Sequence, residues 1–114
     1  METLSILDKS KRQRVPVKDI LCLEGNGNYT IIHIQGRKPI LVSLTLKHWE
    51  DKLPGFLRIH KMSLINPRHL INFSATHIVL SNGSLWAMSR RKARVFRSQL
   101  NQYLPSLEHS PNAH

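Results

Sequence analysis

Arg58, His60 and Lys61 stand in the stretch FLRIHKMSLIN at residues 56–66, between two short apolar runs. A guanidinium, an imidazole and an ammonium so close together suit the binding of an anion, since they supply donors and positive charge but no carboxylate. Phe56, Leu57 and Ile59 on one side and Leu64 and Ile65 on the other have the bulk of core residues, so both ends should be anchored in the interior. The charged middle cannot follow them, because burying an unpaired Arg58 or Lys61 is too costly. A cationic loop clamped at both ends is expected, open to solvent or to a ligand. A single basic loop reads as plain solvated surface, but its surroundings argue otherwise. Between Asp51 and Glu108 there is no acidic residue, while Lys52, Arg58, Lys61, Arg68, Arg90, Arg91, Lys92, Arg94 and Arg97 all fall in that interval. Ordinary surfaces mix the two signs, and a long one-sign segment points to a polyanion.

The whole chain agrees. Its 114 residues suffice for one core, and its formal net charge of +10 points to nucleic acid ahead of an anionic membrane or an acidic protein. No apolar run approaches the roughly 20 residues that span a bilayer, and the start METLSILDKSKRQR lacks the apolar stretch of a signal peptide, so a cytoplasmic protein is expected. Cys22 is the only cysteine and sits among Ile20, Leu21 and Leu23, which excludes an intrachain disulfide and predicts a buried thiol. Nothing looks catalytic. The seven carboxylates form no acid–base pair, no Walker-type loop is present, and Gly25 and Gly27 lack the helix a phosphate-binding fingerprint needs. No two of the seven histidines are spaced i, i+4, so neither a metal nor a cofactor is expected, and His33, His60 and His77 are read as ordinary hydrogen-bonding residues. An enzyme with a small-molecule substrate is not expected.

The elements that position the basic residues follow from pattern. Residues 1–14, with Lys9, Lys11, Arg12 and Arg14, read as a basic arm without strand or helix periodicity. Residues 15–24 favour strand, with Pro16 at an edge or a start, and a glycine-rich loop at 25–28 joins them to a second strand at 29–34 as a hairpin. A third short strand at 39–43 leads into a short helix over about 44–53, capped by Ser43 or Thr45, with Leu46, Trp49 and Leu53 on one face and Glu50 and Asp51 on the other. Pro54 and Gly55 end it. After the central stretch come a turn at 66–69 and an extended piece at 70–73. Two apolar runs at 76–80 and 85–88 then flank Asn82 and Gly83, which predicts a type I′ hairpin turn. Ser89 can cap a C-terminal helix over about 90–104, with Ala93, Phe96, Leu100, Tyr103 and Leu104 on one stripe and Arg90, Arg94, Arg97 and Asn101 on another. Arg90, Arg91 and Lys92 at the helix start oppose the macrodipole by a few tenths of a kcal/mol each, a local cost that bound phosphates could offset. From Pro105 the sequence reads as a polar tail, 105–114.

The order LCLEGNGNYTIIHI, short helix, FLRIHKMSLINPRHL, Asn-Gly hairpin and MSRRK resembles the LytTR family of bacterial DNA-binding domains over residues 15–104. The most specific part is Arg58, Ile59, His60 and Asn66, supported by Gly27, Asn28 and Tyr29 and by Ser89 and Arg90. The resemblance implies a mainly β fold of small antiparallel sheets with little helix. It also implies sequence-specific binding of duplex DNA and regulation of bacterial promoters, through loops inserted into successive major grooves that bend the duplex. Carried over by position, Asn28 or Tyr29, Lys61 and Arg90 are the base-facing candidates, and His60, Asn66 and Ser89 support the loops. By side-chain chemistry, Arg90 can fork onto guanine O6 and N7, Lys61 can donate to the same acceptors, and Asn28 can pair with adenine. Arg58, Arg68, Arg91, Lys92, Arg94 and Arg97 suit phosphate contact. Many relatives have Arg where Lys61 stands, followed by a small residue and an aromatic, whereas here Met62 and Ser63 follow, so the central loop departs from the pattern and its base preference does not carry over. Relatives usually carry a receiver or membrane segment ahead of the domain, where this chain has its basic arm. The expectation is therefore a stand-alone regulator, not governed by phosphorylation of a fused receiver and paired on repeated half-sites as a homodimer. The rivals are a nonspecific architectural or RNA-binding basic protein and a protein-interaction module that has lost DNA contact. Seven aromatics, several of them assigned to packing, leave few platforms for single-strand stacking.

Overall fold

Residues 2–104 are described by the computed structural model, and the expected tail at 105–114 lies outside the described residues. The elements in chain order are β1 (Thr3–Asp8), β2 (Lys11–Pro16), β3 (Ile20–Asn26), β4 (Tyr29–Ile34), β5 (Ile40–Val42), α1 (Leu46–Lys52), β6 (Leu57–His60), β7 (Ser63–Ile65), β8 (Leu70–Phe73), β9 (His77–Leu80), β10 (Leu85–Ala87) and α2 (Arg90–Asn101). A five-stranded antiparallel sheet of order β5-β4-β3-β7-β6 lies at the centre, flanked by a β1-β2 hairpin and a three-stranded sheet of order β10-β9-β8. The mainly β architecture matches the expectation from sequence.

β3 explains the layering. Its residues Ile20 to Leu23 are all buried, so both faces of the strand are covered: Ile20 and Leu23 enter one core, Leu21 and Cys22 the other, with the register against β4 shifting between Ile20 and Cys22. Leu23 joins Ile32, Leu64, Leu46 and Trp49 beneath α1 and the β1-β2 hairpin. Cys22 joins Ile65, Ile59, Ile78, Leu80 and Leu100 beneath the three-stranded sheet and α2. The central sheet is thus a shared wall between two apolar cores.

Both helices form where the pattern places them. The Thr45 hydroxyl accepts from the His48 N–H at 3.3 Å, so Thr45 caps α1, and Leu46 and Trp49 bury its inner face. Ser89 caps α2 through the Lys92 N–H at 3.2 Å, and Ala93 and Leu100 are buried on the predicted stripe.

Three local expectations are corrected. The basic arm is a β-hairpin: Leu4 pairs with Val15 and Ile6 with Gln13, and Leu4, Ile6 and Val15 are buried. The exposed Leu7 interrupts the apolar alternation, and the turn is made by Lys9 and Ser10, both at positive φ (50° and 70°), with no glycine to announce it. The segment 15–24 is two strands, broken by a 3-10 turn at Val17–Asp19 after Pro16, which pairs with Thr3 as the last residue of β2. The Asn82-Gly83 turn is a three-residue loop closing Leu80 onto Ser84, with positive φ at Gly83 alone (84°), because Ser81 joins it and type I′ requires two left-handed residues.

Burial also settles the lone thiol. Cys22 is 1% exposed, and desolvation, reinforced by the Glu24 carboxylate, pushes it well above the ordinary thiol range. Native protein should therefore react with a thiol reagent more than about 100-fold more slowly than the same chain in denaturant. Equal rates in a labelling time course would contradict this burial.

Candidate nucleic-acid interface

Tyr29 is half exposed because it begins β4 at a two-residue turn, Gly27-Asn28, that closes Asn26 onto Tyr29. Positive φ at Gly27 (63°) and at no other residue of the turn has the signs of a type II′ turn, which leaves the Asn28 side chain exposed at the tip. The Lys61-Met62 turn joins β6 to β7 and lies beside this one, since the Gly25 N–H donates to the Met62 carbonyl at 2.8 Å. Arg90 reaches the same edge from the far core: the Ser89 N–H donates to the Ile59 carbonyl at 2.9 Å. Ile59 stands two residues before Lys61, so their Cα atoms are at most roughly 7 Å apart. Three segments distant in sequence therefore meet at one end of the central sheet. The link from β5 to α1 joins them, with the Thr30 hydroxyl donating to the Leu44 carbonyl at 2.7 Å.

Both helices start at this edge. Their N-termini carry partial positive charge, and the exposed side chains of Arg90, Arg91, Arg94 and Arg97 add full charges along α2. Among the described residues none of Lys61, Arg90, Arg91, Arg94 and Arg97 makes an ion pair with a carboxylate. The Lys92 ammonium lies 5.4 Å from the centre of the Phe96 ring, so its stem packs on the flank of the helix. The edge offers donors and positive field with little internal neutralisation.

Arg58 differs from the expectation of a loose phosphate contact. Its Nη1 donates to Glu50 Oε1 at 2.6 Å, Nη2 to the Lys61 carbonyl at 2.6 Å, and Nε to the His60 carbonyl at 3.2 Å. The side chain is pinned to α1 on one side and to the turn on the other. Glu50, read from sequence as lying on the outer side of its helix, is the anchor. Within the same turn the His60 Nδ1 accepts the Met62 N–H at 3.1 Å. Ser89 supports by capping α2.

Asn66 and Arg68 lie elsewhere. Asn66 follows β7 at the opposite end of that strand from Lys61, 2% exposed, with its amide nitrogen donating to the Ile20 carbonyl at 2.9 Å and its oxygen accepting the Arg68 N–H at 3.1 Å. It holds the β2–β3 link against the 3-10 turn at Pro67–His69, away from the Gly27-Asn28 and Lys61-Met62 turns. Asn66→Ala is expected to lower stability by about 2 kcal/mol, since it strands buried partners, while leaving the DNA affinity of the folded protein unchanged. A urea-unfolding midpoint and a duplex titration check the two halves of that expectation. Arg68 is exposed at the same remote end and is separated from the other basic candidates.

A family model for the LytTr DNA-binding domain matches residues 10–101, most of the chain. The chain belongs to the LytTr DNA-binding domain family. The match starts at the turn of the first hairpin and ends with α2, so it takes in the central sheet, the flanking sheet and the basic edge. One similar solved structure is the LytTr DNA-binding domain of a Bacillus cereus protein described as a methyl-accepting/DNA response regulator. It is 20% identical, with a TM-score of 0.70, covering 88% of this chain and 97% of the other. No curated protein matches this chain. Membership of the LytTr family implies DNA binding and a part in transcription regulation, and the family is one of binding domains, not of enzymes. No helix among the described residues is long and apolar enough to cross a membrane.

Sequence reasoning missed Glu50 as part of the site, and a signal was available. A carboxylate on a short helix directly before a strand carrying an unpaired arginine can close back on it. Leu44 was missed as well, because the β5–α1 link reaches the edge only through the sheet register.

Proposed function

We propose that this LytTr domain reads duplex DNA in a sequence-specific way, inserting the Asn28-Tyr29 turn, the Lys61 turn and the start of α2 at Arg90 into major grooves on one face of the duplex. The observation that carries the reading is the convergence of three exposed segments on one sheet edge, tied by the Gly25–Met62 and Ser89–Ile59 hydrogen bonds. A base reader must be held rigidly while its tip stays free, and each tip here projects from a two-residue turn or a capped helix. Arg90, Lys61 and Asn28 then supply base-edge donors, while Arg91, Lys92, Arg94 and Arg97 position the protein on phosphates. Two copies on repeated half-sites would regulate a bacterial promoter in the cytoplasm, since one such edge covers few base pairs.

The basic stripe on α2 favours a second reading, charge-driven binding without sequence preference. One experiment separates the two: selection of bound duplexes from a random library at about 0.15 M salt, where screening suppresses nonspecific contacts. Enrichment of a repeated motif near one helical turn in spacing supports sequence reading. Binding that collapses with salt and enriches nothing overturns it.

A further inference from the structure

The end of the molecule remote from the DNA-reading edge carries a cleft of about 380 Å³ that the DNA-binding role does not use. Both helices finish beside it, and the first hairpin and the two 3-10 turns close its sides. Its walls divide by chemistry. Phe56, Pro67 and Tyr103 give an apolar and aromatic lining, whereas Lys18, Lys52 and Arg68 stand around it with Glu2 as the one carboxylate. Three cations against one acid leave two net positive charges. None of the three cations makes an ion pair with a carboxylate among the described residues. The helix C-termini carry only partial negative charge, which opposes an anion there less than several full positive charges beside an apolar wall attract it.

We propose that this cleft binds a small amphipathic anion, a short aliphatic or aromatic carboxylate whose apolar body lies against Phe56, Pro67 and Tyr103 and whose carboxylate is held by Lys52 and Arg68, with Lys18 beside them. The volume lies at the low end of the roughly 300–1,000 Å³ of small-molecule sites, which matches a ligand of that size. Arginine can take a carboxylate with two parallel hydrogen bonds, and the Arg68 backbone is already fixed by Asn66. Burial of an apolar body against aromatic and proline surface supplies affinity that a bare inorganic anion lacks. The site is separate from the reading edge, so its occupant need not compete with DNA.

The test is a titration of the full-length, 15N-labelled protein with sodium octanoate, 1-octanol and sodium phosphate, followed by amide chemical shifts. Octanoate is expected to give saturable shifts at Lys52, Leu53, Gly55, Phe56, Arg68 and Tyr103, with apparent affinity at least about fivefold above that of octanol and of phosphate, because only octanoate engages both walls. Replacing two exposed cations together, Lys52→Gln with Arg68→Gln, should weaken octanoate at least about tenfold and leave octanol unchanged. The comparison of octanoate with octanol on the unmodified protein does not depend on any variant folding. Absence of saturable shifts, equal binding of octanol and octanoate, or displacement of octanoate from the cleft by duplex DNA would each overturn the proposal.

Discussion

Arg90→Ala is expected to weaken binding to the selected duplex by about 1–3 kcal/mol, roughly 5- to 150-fold, and to relax one base position while barely changing affinity for random DNA. Arg90 is exposed, makes no ion pair with a carboxylate among the described residues, and follows Ser89, whose backbone is held to the Ile59 carbonyl, so little internal structure depends on its side chain. A cation at the first position of α2 opposes the helix macrodipole, so its removal should leave thermal stability unchanged or raise it by a few tenths of a kcal/mol. Affinity and stability are thus predicted to move in opposite directions. Arg94, one turn further along the same stripe, should lose affinity on every duplex alike when changed to Ala, with a shallower salt dependence, because phosphates are the same in every sequence. Equal losses on selected and random duplexes for Arg90→Ala, measured by fluorescence anisotropy, would remove it from base reading.

Most of the architecture could be read from residue patterns because its elements carry their own local instructions. The alternation over Tyr29–Ile34, the capping hydroxyls of Thr45 and Ser89, and the apolar stripe through Ala93 and Leu100 each reflect a local rule that tertiary contacts then reinforce. The first hairpin was hidden for the opposite reason. Only Val15 of β2 is buried, and a turn at Lys9 and Ser10 uses residues that seldom adopt positive φ, so the pairing depends on packing against β5 and the core. At the site, the exposed tips at Asn28, Lys61 and Arg90 were legible from charge and turn chemistry. The Glu50–Arg58 brace was not, because the two interact across an intervening loop, and the pattern placed Glu50 on the outer side of its helix and Arg58 among the phosphate contacts. Asn66 shows the same blindness: its position in the central stretch places it near Lys61 in sequence, but a three-residue strand, Ser63–Ile65, carries it to the other end of the sheet.

Arg58→Ala should be the more damaging of the two arginine changes, and by a different route. It removes hydrogen bonds to two successive carbonyls of the Lys61 turn and leaves the partly buried Glu50 carboxylate without its partner. Side chains 23% and 33% exposed are partly screened, so a stability loss of about 1–3 kcal/mol is expected, below the cost of breaking a fully buried pair. The turn also loses its preorganisation, and specific DNA affinity should fall about tenfold or more although Arg58 is not among the proposed base contacts. Arg58→Lys does not rescue, since a point charge cannot reach Glu50 and two carbonyls together. The decisive companion is Glu50→Ala. If Arg58 acted as a phosphate contact, deleting a nearby negative charge would strengthen DNA binding; if the pair is a brace, the same deletion weakens it. A double-mutant cycle with Lys61→Ala extends the distinction, because a brace that acts through the turn loses its effect on affinity once the reader is gone, whereas independent phosphate contacts add. Weaker binding by Glu50→Ala, with coupling between Arg58 and Lys61, is the expected result, and tighter binding with additive losses would return Arg58 to the phosphate backbone.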